Sequence, residues 1–213
     1  MASRFTLNGF WRSSPTYKVG LMLALAGEPF DYVSVNLSEG EHKKPDFLAR
    51  QRYGQVPLLE DSNNGRRLCQ AAAILDYLAD VTGKFGGATL DERLSAREWM
   101  YWDYDKLAHG IYRSRAAKLG FRTFPEPVAA AYVAEGEAGL AVLEAHLKSR
   151  DWLVGEGPSI ADIDIYGVVA YAEAGGFALE NYPALGAWMK RFEALPGFGR
   201  PEDILPKQSR IAA

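Results

Sequence analysis

The sequence predicts a protein of two classes joined in one chain: an α/β unit over residues 1–81, a linker over 82–90 and an all-helical bundle over 91–213. Three observations predict it. Through residue 81, segments of period-2 hydrophobicity alternate with segments of helical period, the pattern of strands and helices taken in turn. The stretch Thr82-Gly83-Lys84-Phe85-Gly86-Gly87-Ala88 then interrupts it with glycines, as an inter-domain connection does. Beyond that break no strand-like alternation recurs, and every periodic segment is helical.

Phe5 to Trp11 reads as a first strand, broken by Arg12-Ser13-Ser14-Pro15. Val19, Met22, Leu23, Leu25 and Ala26 then recur at helical spacing, and Gly27 supplies a stop. In Asp31 to Leu37 the apolar Val33, Val35 and Leu37 alternate with Ser34 and Asn36, which predicts a half-buried strand. Pro45 to Arg50 fits one or two helical turns. Val56 to Glu60 and Arg66 to Cys69 flank the turn-rich Asp61-Ser62-Asn63-Asn64-Gly65 and read as a hairpin, after which Gln70 to Val81 returns to helix. The resulting order β-α-β-α-β-β-α is compatible with a thioredoxin-like sheet, a parallel pair joined by a crossover with an antiparallel hairpin at its edge. In the second unit, 91–119, 126–147, 159–172 and 183–195 carry helical patterning between segments rich in proline and glycine.

Composition narrows the function classes. The 213 residues are 48% hydrophobic, enough to bury one large core or two compact ones. Lys and Arg number 24 against 27 Asp and Glu, and no block of like charge stands out, so a nucleic-acid partner is not expected. Cys69 is the only cysteine, which excludes an internal disulfide and a multi-cysteine metal site and fits a reducing, cytoplasmic setting. The start MASRFTLNGFWRSSP has no apolar stretch behind a basic one, and nowhere do about 18 apolar residues run together, so neither export nor a membrane span is expected. His42, His109 and His146 show no HExxH spacing, and no metal is expected.

Several motifs bear chemistry. Ser14 reads as the N-cap of the first helix with Pro15 at its first position, which leaves Ser13 as a hydroxyl just ahead of a helix start, where the dipole favours an anion such as a thiolate. Gly54-Gln55-Val56-Pro57 brings a proline into a strand, which requires an edge, a first position or a special turn such as a cis Val56–Pro57 bond. If that bond is cis, the Val56 backbone faces outward and is open to a peptide-like ligand. Gln70 stands where a strand passes directly into a helix. Ser159-Ile160-Ala161-Asp162 matches a capping box and is assigned to folding, not to catalysis.

Taken together, these residues resemble the glutathione transferase superfamily over nearly the whole chain. Trp11 to Val19 is similar to the opening of the serine-type zeta and related bacterial classes, Gly54-Gln55-Val56-Pro57-Leu58-Leu59 to the cis-proline strand, Gln70 to Leu78 to the following helix, and Trp152-Leu153-Val154-Gly155 with Ser159 to Ile163 to the folding motif of the helical unit. The resemblance implies glutathione as co-substrate, Ser13 as the catalytic hydroxyl at its sulfur, Val56 beside Pro57 as the backbone pairing with its cysteinyl part, and Gln70 at its γ-glutamyl end. Ser14 and Ala71 complete that contact set, with His42, Lys43 and Gln55 toward the glycyl end. A small hydrophobic electrophile as second substrate and a homodimer are implied as well. The chain departs from relatives at Ala71, where many carry serine, at Pro15, where zeta enzymes carry cysteine, and at Gln51-Arg52-Tyr53, where an Asn-Pro turn is common. Two alternative readings follow: a non-catalytic interaction module of the same fold, or a glutathione-dependent isomerase or disulfide reductase.

Overall fold

The computed structural model describes residues 3–211. It divides into two compact units, one formed by the chain up to Lys84 together with the chain from Leu195 onward, the other by Phe85–Ala194.

In the first unit, β1 (Phe5–Gly9) leads to α1 (Ser14–Ala26), then β2 (Phe30–Ser34), a 3-10 turn (Glu41–Lys43), α2 (Pro45–Leu48), β3 (Leu58–Asp61), β4 (Arg66–Cys69) and α3 (Ala71–Thr82). The sheet order is β2-β1-β3-β4. β1 pairs parallel with β2, Phe5 opposite Phe30, and antiparallel with β3, Asn8 opposite Leu58. The hairpin is therefore added, antiparallel, on the β1 side of the parallel β2–β1 pair, as expected. Helix α1 is apolar nearly all round, with Tyr17, Val19, Leu21, Met22 and Leu23 buried, because β1 and α3 cover it from different sides. It stops at Gly27, whose φ of 70° is the left-handed conformation that a glycine adopts without a Cβ penalty.

The register fixes where function can sit. Asn8 lies opposite Leu58 and Leu58 opposite Cys69, so the exit of β1, the entry of β3 and the exit of β4 share one end of the sheet. The opposite end is pinned by Asp61, buried under a two-pronged Arg4 guanidinium (2.8 and 3.1 Å), the Tyr77 hydroxyl (2.6 Å) and the Asn63 N–H (2.9 Å).

The second unit is helical: α4 (Leu90–Trp102), a π-helical turn (Asp103–Leu107), α5 (Ala108–Lys118), α6 (Glu126–Leu147), α7 (Ile160–Val169), two 3-10 turns (Glu173–Gly175 and Leu179–Asn181) and α8 (Pro183–Glu193). The segment expected as one helix over 91–119 is thus interrupted by a turn of wider pitch. Helices α5 and α6 meet almost backbone to backbone, since a Cβ on Gly110 would lie 2.8 Å from Gly136 Cα. Every residue of α7 is buried. Its start is the expected capping box: Asp162 accepts from the Ser159 N–H and hydroxyl (both 2.9 Å), the Leu153 N–H (3.0 Å) and the Trp188 indole (2.9 Å). Among the described residues no helix is long and apolar enough to cross a membrane.

The chain from Leu195 corrects the expected 91–213 helical unit. It returns to the first unit, where α9 (Pro201–Ile204) packs on α1 and the Tyr17 hydroxyl donates to the Gly199 carbonyl (2.8 Å). The physical reason is a small-residue seat on α1, for a Cβ on Gly20 would lie 2.6 Å from Ile204 Cγ2 and 3.5 Å from Leu205 Cδ2.

Candidate functional site

The β1-to-α1 connection is a tight turn. The Ser13 N–H closes it onto the Phe10 carbonyl (2.9 Å), and Thr16 packs against Gly9, where a Cβ would come within 2.9 Å of Thr16 Oγ1. Ser13, not Ser14, is the N-cap: its backbone is extended, its Oγ accepts from the Thr16 N–H (3.2 Å) and its carbonyl accepts from Tyr17 N–H (2.9 Å). Ser14 is instead the first helical residue and is buried, with Pro15 second. The expected assignment is corrected because either serine satisfies the sequence rule, and only the extended φ and ψ of Ser13 let its side chain reach over the first turn. The cap consumes a lone pair of the Ser13 oxygen. A hydroxyl has two lone pairs and one proton, so the O–H of Ser13 stays available to donate to a further group at the positive end of α1.

Facing this turn along the same sheet end is the segment Gln55–Pro57. The Val56–Pro57 bond is cis, Pro57 is buried, and β3 begins only at Leu58. The Val56 N–H and C=O belong to no sheet ladder among the described residues, which leaves a donor and an acceptor for an extended ligand. Gln70 adjoins it: its Nε2 donates to Gln55 Oε1 (3.3 Å). Its backbone has φ 70° and ψ 116°, a left-handed value for a residue with a Cβ, at a cost of about 1–3 kcal/mol. The strained residue is exposed and caps α3 without a side-chain bond, its amide bonding Gln55 instead of the helix. Ala71 follows as the first residue of α3 and is buried; the first ladder bond runs from Ile74 N–H to the Gln70 carbonyl, so the N–H groups of residues 71–73 lie ahead of the ladder.

The turn ahead of Val56 brings in a cation. Gly54 has φ 57°, and a Cβ there would lie 2.9 Å from Lys43 Nζ and 3.0 Å from the His42 carbonyl oxygen. Lys43 Nζ therefore lies beside Gly54. His42 is half-buried, with Nδ1 lacking a partner, and burial, with the Lys43 charge adding to it, holds its imidazole below the usual range. At neutral pH it is an uncharged group, and the positive charge here is that of Lys43. Sequence reasoning missed Gln51. It is fully buried, and its Oε1 accepts the Tyr53 N–H (2.7 Å) while its carbonyl accepts the Gly54 N–H (3.0 Å). An amide side chain at this position closes the turn as asparagine would, and that amide is the signal from which it was readable.

Cys69, like Val56, packs against the cluster of Val35, Phe47 and Leu58, and burial pushes its thiol up, away from the reactive thiolate form. In the helical unit His146 Nε2 donates to the Leu153 carbonyl (3.1 Å) and the ring stands edge-on to Trp99, while His109 Nδ1 meets Glu135 (2.8 Å).

Comparison with known proteins follows the same division. The family model described as Glutathione S-transferase, N-terminal domain matches residues 3–80, and that described as Glutathione S-transferase, C-terminal domain matches residues 105–196. The chain is 32% identical to glutathione S-transferase theta-1 of Mus musculus over 79% of this chain and 74% of that protein. It is 28% identical to a disulfide-bond oxidoreductase of Escherichia coli over 86% of this chain and 88% of that one. Among solved structures, a glutathione S-transferase from Pseudomonas fluorescens superposes with a TM-score of 0.87 at 32% identity, covering 93% of this chain and 99% of that one.

Proposed function

The chain belongs to the glutathione S-transferase superfamily, and from that premise we propose that it is a transferase delivering the thiolate of glutathione to a small hydrophobic electrophile. The observation that carries the reading is the Ser13 hydroxyl, whose proton is free of the cap bond, at the same sheet end as the open backbone of Val56. Val56 N–H and C=O pair with the cysteinyl backbone of the ligand, which directs its sulfur toward Ser13. Gln70, aided by Gln55 and the leading N–H groups of α3 at Ala71, takes the γ-glutamyl end, and Lys43 takes the glycyl carboxylate. His42 shapes that end as a neutral group, and buried Ser14 supports the turn from inside.

Magnitudes support the assignment. A thiol of pKa about 8.5 is only a few per cent ionised at pH 7, and lowering it by about two units requires roughly 2.7 kcal/mol. A hydrogen bond to the charged sulfur supplies about 1.5–3 kcal/mol and the helix end about 0.3–1 more. The thiol proton leaves to solvent, Ser13 donates to the resulting thiolate, and the sulfur lone pair forms a C–S bond as the leaving group departs with its electron pair. An assay of glutathione-dependent conjugation of an aryl halide tests this, with glutathione-saturable turnover expected; no turnover on a panel of such electrophiles contradicts it.

The disulfide-bond oxidoreductase relative favours a second reading, glutathione-dependent disulfide reduction. With the half-buried Cys69 thiol pushed up and no cysteine on the Ser13 turn, both thiols would come from glutathione, and a reduction assay with a small disulfide decides it. The resemblance also supports a cytoplasmic homodimer acting in detoxification; a light-scattering mass twice that of the chain tests the assembly.

A further inference from the structure

We propose that the C-terminal strap, Pro206 to Arg210, positions the Ser13 turn, with Lys207 and Trp11 as the positioning residues; the proposal rests on the glutathione reading for its effect on turnover. The strap is anchored at both ends. Upstream, Ile204 and Leu205 are buried on Gly20 of α1. Downstream, Arg210 forms an antiparallel bridge with Tyr32 on the open edge of β2, Tyr32 N–H to the Arg210 carbonyl at 2.7 Å and Arg210 N–H to the Tyr32 carbonyl at 2.8 Å. Ser34, the last residue of β2, adds two bonds: its N–H donates to Ser209 Oγ and its hydroxyl to the Lys207 carbonyl, each 3.0 Å.

The backbone at Lys207 is thereby fixed, and its ammonium lies 5.1 Å from the centre of the Trp11 ring. Trp11 sits inside the turn that the Ser13 N–H closes onto Phe10. The Arg12 guanidinium lies over the same ring at 5.2 Å, so two cations bear on one indole beside the catalytic hydroxyl. A strap held on a neighbouring strand thus reaches the turn that carries Ser13. A strap serving only to cover an edge strand has no need of the Lys207 side chain.

The test compares wild type, Lys207→Ala and Lys207→Arg by the pH profile of kcat/KM for glutathione and by amide hydrogen exchange of the peptide containing residues 8–17. For Lys207→Ala the proposal expects kcat/KM to fall roughly two- to fivefold at neutral pH, as loss of one cation–π contact allows. The deficit closes at high pH, where the thiol ionises unaided, exchange across the turn speeds up, and Lys207→Arg restores both. An active wild type with Lys207→Ala unchanged in profile and in exchange overturns the strap's role, as does an equal loss at every pH. An inactive wild type refutes the glutathione reading instead; exchange then decides the strap alone, with faster exchange across the turn supporting it and unchanged exchange overturning it.

Discussion

Ser13 carries a cap bond and a proposed bond to sulfur, and two substitutions separate them. As N-cap it accepts the Thr16 N–H at 3.2 Å; as proposed catalytic group it donates its proton to sulfur. Ser13→Ala removes both. Losing the cap costs about 1 kcal/mol, a drop of about 2–4 °C in Tm for a chain of this size. Losing the donor removes about 1.5–3 kcal/mol of thiolate stabilisation, so turnover at neutral pH falls roughly ten- to hundredfold and the thiol pKa rises by one to two units. Ser13→Gly removes the donor equally but costs the cap only a few tenths of a kcal/mol. The prediction is that the glycine variant melts close to wild type and yet is as impaired as the alanine variant. The assay is the thiolate absorbance of bound glutathione against pH, with kcat/KM and thermal melts beside it. If both variants keep the wild-type thiol pKa, Ser13 acts only as a cap and the mechanism is wrong.

Other expectations follow from the same geometry. Asp162→Ala should destabilise the protein by at least about 3 kcal/mol in urea unfolding, because the Leu153 and Ser159 N–H groups and the Trp188 indole lose a buried acceptor; a loss below 1 kcal/mol would contradict this. Burial pushes the Asp61 carboxyl up, yet the bonds from Arg4, Tyr77 and the Asn63 N–H outweigh it and hold it below the usual range. Its stabilising contribution is thus present above the unfolded-state value of about 3.9 and is lost as pH falls through the folded value, so Asp61→Asn should be less stable than wild type at pH 7 and should converge with it as the pH falls through that folded value. Ala71→Ser places a hydroxyl at the first residue of α3 and should tighten glutathione binding about tenfold by calorimetry; unchanged affinity would show that the γ-glutamyl carboxylate does not sit at that helix end.

What the sequence disclosed and what it hid follow from the range of each interaction. The Asp61–Gly65 hairpin and the Ser159–Asp162 box are local patterns, readable within a few residues, whereas the cis form of Val56–Pro57 is one of several solutions the local pattern leaves open, and β2 buries Phe30 and Tyr32 and exposes Val33, the face opposite to the one the alternation suggests. The choice of cap between Ser13 and Ser14 is also local but degenerate, since proline is tolerated at either of the first two helical positions. The π-helical turn at Asp103–Leu107 leaves no mark on a hydrophobic period read over a long window. The strap was out of reach: Lys207 to Arg210 is polar without alternation, and its partners Tyr32, Ser34 and Trp11 lie far back in the chain. At the site, the roles of the candidates on the sheet end came from the family resemblance, whereas the amide of Gln51 is visible in the sequence but its burial and its bond from the Tyr53 N–H come from the fold.

The central claim is that this sheet end binds glutathione, and a calorimetric titration of the purified protein with reduced glutathione tests it most directly. The account predicts saturable heat at or below millimolar ligand, weakened by Lys43→Ala. The absence of saturable heat at two temperatures, so that a vanishing enthalpy at one of them is excluded, would contradict it.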